Sequence, residues 1–217
     1  LKSSWPIDCL LVMEEKADQW RPLFSGRSRQ RPVYSLTARQ WHRLSQDKSP
    51  EGIMAVAPSR PAENITEILS GYTGHILLLD RINNPNNLGA LLRTALWFGF
   101  RLVMISKGSV DYTNPKVVRA SMGGLFHLTI ITNMNFSITL PELRKEFLIV
   151  GTSARKGINP HPCERQAAIL LGSETHGLPK KIFESIDEQW HIPGSSAMDS
   201  LSLPQAAAIM MYECAKS

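Results

Sequence analysis

The sequence predicts an α/β protein: a parallel sheet with helices on both faces, preceded by a small α/β unit. Three observations carry this. Strand-length runs such as HILLLD (75–80) and RLVMIS (101–106) are apolar almost throughout rather than on alternate residues, as in strands buried on both sides. Amphipathic, helix-length segments separate them. Of the 217 residues 43% are apolar, the composition of a globular chain long enough to bury a sizeable core.

Taken in order, IDCLLVM (7–13) predicts a first strand and EEKADQWRPLF (14–24) a helix after it. RPVYSL (31–36) predicts a second strand, followed by a helix over TARQWHRLSQ (37–46) that Ser35 or Thr37 would cap. EGIMAVA (51–57) is a third strand. Pro, Gly and polar residues through 58–74 read as a linker with a short helix. The expected division is a first domain at 1–60, a linker at 61–75 and a second domain at 76–217. In the second domain, further strands are predicted at HLTIIT (127–132), FLIVGTS (147–153), AAILLGS (167–173) and QWHIPG (189–194). Helices are predicted at NLGALLRTALWFG (87–99), NPKVVRASMGGLF (114–126), LPELRKEF (140–147), PKKIFESI (179–186) and LPQAAAIMMYECAKS (203–217).

The formal net charge is +5, and most of the excess lies early: residues 1–60 hold ten Lys/Arg against six Asp/Glu. Arg27, Arg29 and Arg31 alternate in GRSRQRP, which suits either phosphate contacts to nucleic acid or a solvated loop. Cys9, Cys163 and Cys214 are an odd number without zinc spacing, so no metal site is expected. HPCE (161–164) reads as a loop around a buried thiol before it reads as part of a metal site. A reducing, cytoplasmic setting fits this cysteine usage. No apolar stretch approaches the ~20 residues that span a bilayer, and no signal-peptide pattern is present. Because the chain opens on Leu1, it reads as a fragment or a processed chain.

In parallel sheets, ligands bind beyond the carboxyl ends of the strands. Those ends are DRINNPNN (80–87), GTSARKG (151–157), LGSETHG (171–177) and IPGSSAMDSLS (192–202). Gly, Ser, Asn and Thr dominate them, which lets backbone approach a ligand and offers amide and hydroxyl partners. There is no G-x-G-x-x-G after a strand, no G-x-x-x-x-G-K-[ST] and no G-x-S-x-G, so dinucleotide, P-loop and serine-hydrolase chemistry are unsupported. Within RINNPNNLGALLRTA (81–95) four asparagines precede a helix-like run whose one cation is Arg93. Asn87 sits where a helix N-cap is expected. Gly89 lies one turn before Arg93 and would leave room for a substrate backbone. Arg93 suits an RNA phosphate, or a pairing with a carboxylate such as Glu174, or both.

Three segments, in one order, resemble a known family. NPNNLGALLRTA (84–95) looks like the first motif of the SpoU (TrmH-like) RNA 2′-O-ribose methyltransferases of the SPOUT superfamily. LLGSETHGLP (170–179) looks like the second and IPGSSAMDSLSLPQAAAIMMYE (192–213) like the third, with VVRASMGGLFHL (117–128) fitting between them. The resemblance covers about residues 75–217. More loosely, residues 1–60 are similar to the small ribosomal L30e-like substrate-binding domain that precedes the catalytic domain in many relatives.

This resemblance implies a C-terminal trefoil knot, S-adenosylmethionine as cofactor, a homodimer, and methyl transfer to a ribose 2′-hydroxyl, with rRNA favoured over tRNA. Carried over residue by residue, it implies catalytic roles for Asn87, Arg93, Glu174 and Ser200, and cofactor contacts from Gly172, Ile192 and Leu201. The neighbouring strand ends add Thr152, Ser153, Ala154, Gly177 and Pro193 to the expected cofactor region. One departure stands out: Ser200-Leu201-Ser202 replaces the usual Ser-Leu-Asn, so a catalytic Ser202 has lost reach relative to an amide. IPG at 192–194 likewise replaces IPM. The alternatives are an RNA-binding paralogue with a weakened active site, or a base-modifying relative. The marker of the latter, an aspartate base in a flexible linker, is not seen.

Overall fold

The computed structural model describes residues 3–24, 31–45, 47, 49–59, 64–195, 197 and 200–216. The chain forms two compact units, Leu1–Pro61 and Ala62–Ser217.

In the smaller unit β1 (Cys9–Met13) is central. It pairs in parallel with β2 (Val33–Leu36) and antiparallel with β3 (Ile53–Val56). The expected helix over 14–24 is instead a short α1 (Ala17–Trp20) between two 3-10 turns, Glu14–Lys16 and Arg21–Phe24. Pro22 has no backbone donor and cannot extend α-helical bonding. Thr37, not Ser35, caps α2 (Ala38–Leu44): its Oγ1 accepts from the Gln40 N–H, and Gln40 Oε1 accepts from the Thr37 N–H, a reciprocal capping box. Trp5, Leu10, Val12, Met13 and Trp41 are buried. Arg31 lies two residues before β2 and is partly exposed; Arg27 and Arg29 lie outside the described residues.

The larger unit is a six-stranded, all-parallel sheet in the order β6-β5-β4-β8-β7-β9. The strands are β4 (Ile76–Leu79), β5 (Leu102–Ser106), β6 (Thr129–Met134), β7 (Leu148–Thr152), β8 (Ala167–Leu171) and β9 (Glu188–Trp190). Every residue of β4, β5 and β8 is buried, which is why their sequences show no alternation. On one face Ile76, Leu78, Leu102 and Met104 pack with Phe136, Leu140 and Leu143 of α6 (Phe136–Leu143) and Ile182 of a 3-10 turn. Ile65, Ile68 and Leu69 of α3 (Ile65–Leu69), with Tyr72, join that cluster. The stretch expected to be a linker therefore supplies core residues, and the break between units falls after Pro61. On the other face α4 (Pro85–Trp97) packs against α5 (Pro115–Ala120) and α7 (Leu203–Cys214).

Four predicted elements change shape. The helix over 114–126 stops at Ser121, because Met122 and Gly123 take left-handed φ of 50° and 85°. α6 starts at Phe136, and Pro141, expected at a helix start, lies in its second half. Residues 180–185 form a 3-10 turn, not an α-helix. β9 ends at Trp190, short of Pro193, which has no donor to give a ladder.

Candidate active site

Strand order reverses between β4 and β8: the chain runs outward from β4 through β5 to β6, while β8 pairs with β4 on its other side. This is where open α/β sheets hold ligands. Asp80 is buried at the end of β4 and its N–H donates to the Leu171 carbonyl at 2.8 Å. Arg81 is left-handed, with φ 53°. That backbone is held by its N–H donating to Ser106 Oγ (2.8 Å), and its side chain donates to Asp80 Oδ2 (3.0 Å) and the Gly177 carbonyl (3.4 Å). Asp80, Arg81 and Ser106 were not singled out from sequence; the available signal was an Asp-Arg pair closing a wholly apolar strand.

The helix cap is Asn84, not Asn87. Asn84 Oδ1 accepts from the N–H groups of Asn86 (2.9 Å) and Asn87 (3.4 Å), and Pro85 takes the first helical position, where no donor is needed. Asn87, relieved of capping, donates from Nδ2 to Glu174 Oε1 at 2.8 Å. The crowded amides thus divide their work: one starts the helix and another crosses to the β8 loop.

That loop is tightly made. Ser173 Oγ accepts from the N–H groups of Thr175 (3.3 Å) and His176 (3.4 Å), and the Gly177 N–H donates to the Ser173 carbonyl (2.8 Å). A Cβ on Gly172 would lie 2.5 Å from the Gly177 carbonyl carbon, so Gly172 lets the loop fold back and present Glu174. Gly177, with φ 62°, closes the turn. Gly89 does not open space for a substrate. A Cβ there would lie 2.4 Å from Ala120 Cβ and 2.7 Å from the Val117 carbonyl oxygen, so its role is to seat α5 against α4. Arg93 is exposed on α4, and among the described residues it makes no ion pair; the alternative pairing with Glu174 is not formed. Its backbone abuts Gly124, whose added Cβ would lie 3.2 Å from Arg93 Cα.

The ends of β7 and β9 adjoin β8. Thr152 Oγ1 donates to the Leu170 carbonyl (3.2 Å), the Ser153 N–H donates to the Trp190 carbonyl (2.9 Å), and Ser153 Oγ accepts from the Arg155 N–H (3.2 Å). Ala154 is exposed. Beyond β9, Ile192 is half-buried, Pro193 and Ser200 are exposed, and Leu201 leaves 47% of its surface open. Ser202 stands at the N-cap of α7 without capping it; its Oγ donates to Gln205 Oε1 at 2.9 Å. The structure thus joins Asn87 to Glu174 and sets 152–154, 172–177 and 192–193 on adjacent strand ends. No hydrogen bond joins Arg93, Ser200 or Ser202 to the Asn87–Glu174 pair. A hollow of about 480 Å³, lined by Asn86, Lys116, Arg119 and Ala120, opens beside the start of α4.

A parallel sheet with this reversal, an amide–carboxylate pair at it and three Gly/Ser-rich strand ends beside it defines an α/β domain with a ligand crevice at the carboxyl ends of its strands. The chain belongs to the SpoU rRNA methylase family, whose model matches residues 74–212. It is 30% identical over 189 residues to the 23S rRNA (guanosine-2′-O-)-methyltransferase RlmB of Bordetella pertussis, covering 84% of this chain and 77% of that one. It is 28% identical over 183 residues to the 23S rRNA (guanosine(2553)-2′-O)-methyltransferase RlmP of Bacillus subtilis, covering 82% and 71%. In fold it matches the SpoU methyltransferase AviRb from Streptomyces viridochromogenes, solved in complex with the cofactor AdoMet, with a TM-score of 0.81 at 24% identity over 98% of this chain and 83% of that one.

Proposed function

We propose that this RNA methyltransferase moves a methyl group from S-adenosylmethionine to a ribose 2′-hydroxyl, with rRNA favoured over tRNA as the substrate. The observation that carries this is the Asn87–Glu174 bond at the point of strand reversal, with Arg93 uncommitted on the same helix. The cofactor supplies an electrophilic methyl on a sulfonium and departs as a neutral thioether, so no acid is needed on that side. The strand ends fit such a ligand. Among the described residues an added Cβ at Gly194 would meet nothing within 4 Å, and Leu201 leaves an apolar flank open, as an adenine edge requires.

The harder task is the nucleophile, because a ribose hydroxyl is very weakly acidic. A guanidinium keeps its proton in almost any protein setting, so Arg93 orients phosphate and stabilises the developing oxyanion rather than accepting a proton. Glu174 takes the Asn87 hydrogen bond on Oε1, which leaves Oε2 available as an acceptor. Arg93→Ala is expected to lower the single-turnover methylation rate by roughly 100-fold or more, with S-adenosylmethionine affinity by calorimetry unchanged. A wild-type rate would remove Arg93 from the mechanism.

The RNA reading also draws on the basic excess of residues 1–60, with Arg27, Arg29 and Arg31 as phosphate contacts on an L30e-like domain. A homodimer belongs to the same proposal. Its support is apolar surface on α4 and α7, where Trp97 is 83% exposed and Ile209 and Tyr212 are open. A second reading, an RNA-binding paralogue with a weakened site, is favoured by Ser202, whose hydroxyl is spent on its own helix. Methyl incorporation into RNA separates the two.

A further inference from the structure

Cys163 and Cys214 are 51 residues apart in the chain and meet in the fold. Cys163 lies four residues before β8, and Cys214 is the last residue of α7. The Cys163 N–H donates to the Cys214 carbonyl at 3.2 Å, and the Cys214 thiol donates to Cys163 Sγ at 3.0 Å. We propose that this pair is a thiol–disulfide site: a reversible cross-link that staples the end of α7 to the segment entering β8. A backbone hydrogen bond joins the two residues and their sulfurs stand 3.0 Å apart, so closure to a bond of about 2.05 Å requires little movement.

The surroundings give the two thiols different parts. Cys163 is half-buried and reachable, whereas Cys214 is 1% exposed. The hydrogen bond from Cys214 pulls the Cys163 thiol below its ordinary range, aided by the charge of His161 and opposed by burial and Glu188. The same bond, with burial, pushes Cys214 up. Geometry favours the charged form of His161: Nδ1 faces the Pro162 carbonyl and Nε2 faces Glu188 Oε2, both at 2.9 Å, so each ring nitrogen has an acceptor to donate to, and these contacts raise its pKa above the ordinary value. His75 Nδ1 accepts the Ala167 N–H (3.1 Å) and stands 3.6 Å from Cys214 Sγ; burial keeps this imidazole neutral. Cys163 is therefore the attacking thiolate and Cys214 the resolving thiol.

The oxidant is a small disulfide such as oxidised glutathione. The Cys163 thiolate attacks one of its sulfurs, forming a mixed disulfide and releasing one glutathione thiolate. Cys214 then attacks Cys163 Sγ, forming the internal bond and expelling the second glutathione, and the two protein thiol protons pass to the two leaving thiolates. Two cysteines are oxidised and one disulfide is reduced.

The test is equilibration of the whole chain with oxidised glutathione, acid quench, alkylation and peptide mass spectrometry. The expected product is a Cys163–Cys214 cross-link with Cys9 alkylated, reversed by dithiothreitol. The closed loop should raise the thermal midpoint of the larger unit by roughly 5–10 °C. Cys214→Ser should stop at a glutathione adduct on Cys163, and Cys163→Ser should leave Cys214 unmodified. Alkylation of both thiols in the oxidised wild type, a wild-type adduct on Cys163 that never closes, or a cross-linked protein with an unchanged midpoint would overturn the proposal.

Discussion

The two sides of the proposed crevice are built to different standards. At the β4–β8 side almost every group is committed: Arg81 to Asp80, Ser106 and Gly177, Asn84 to the start of α4, Asn87 to Glu174, Ser173 to its own turn. At the β9–α7 side, residues 192–202 carry few bonds among those described: Ser195 Oγ accepts from the Ala197 N–H and Ser202 bonds its own helix, while Leu201 faces solvent. The first side is preorganised, which suits groups that act on charge in a transition state. At the second, Leu201 leaves apolar surface open, which suits a flank for the proposed cofactor. The proposed function puts catalysis on the hydrogen-bonded side and cofactor capture on the side with open apolar surface.

The largest expected difference between the sides comes from two glycines. Gly172→Ala forces a Cβ to within 2.5 Å of Gly177 backbone, which cannot swing aside as a flexible side chain would. It should cost about 1–3 kcal/mol of stability and displace Glu174. Gly194→Ala adds a Cβ to open space and should leave stability within about 0.5 kcal/mol of wild type. Urea unfolding of both variants measures this, and equal costs would mean that the two sides are equally packed.

Asn87→Asp probes the committed side more gently. It sets a second carboxylate against Glu174 where an amide now donates at 2.8 Å. Like charges so close raise the proton affinity of the pair, so the variant should be weakened at neutral pH and recover as acid supplies a shared proton. Glu174 is exposed and solvent screens the repulsion, so the deficit should not exceed about 1 kcal/mol. Comparing unfolding midpoints of variant and wild type at pH 7 and pH 4.5 reads it. A deficit that stays constant with pH would show that Asn87 holds no carboxylate in solution.

Much of this site was legible because its chemistry is written in short runs. The three motif segments fall at the ends of β4, β8 and β9, and the apolar strands announced a sheet buried on both faces. What failed was anything decided between elements. Asn84 and Asn87 are equally good caps in sequence, and Pro85, by taking the first helical position, settles the choice. Gly89 lies beside Arg93 in a helical projection, yet Ala120 lies over it, and only the packing of α5 shows that. Cys163 and Cys214 are too far apart in the chain for spacing rules to pair them. The Asp80–Arg81–Ser106 support rests on a left-handed Arg81, a conformation that the residue type does not favour.

The smallest expected effect is a pH dependence at the foot of the β9 side, where His161 meets Glu188 of β9. The Pro162 carbonyl and then Glu188 hold the His161 imidazole above its ordinary range, against partial burial. A group whose folded pKa is raised stabilises fully below its unfolded pKa, about 6.5, and that stabilisation is lost as pH rises through the folded value. His75 runs the other way: burial depresses it, so it costs stability as pH falls below about 6.5. Between pH 6 and 8 the His161 contribution should therefore decline, while the cost from His75, present at pH 6, should fade as pH rises. His161 is 43% exposed, so solvent limits the change to a few tenths of a kcal/mol. Glu188→Gln removes the charge but keeps an acceptor for Trp190 Nε1, which now donates to Glu188 Oε2 at 2.9 Å. Subtracting the variant's urea midpoints from those of the wild type at each pH cancels the rest of the chain's titration. The difference should be largest near pH 6 and shrink toward pH 8; a difference that is flat, or that grows with pH, would mean that no charge on His161 is felt at Glu188 and that β9 owes nothing to it.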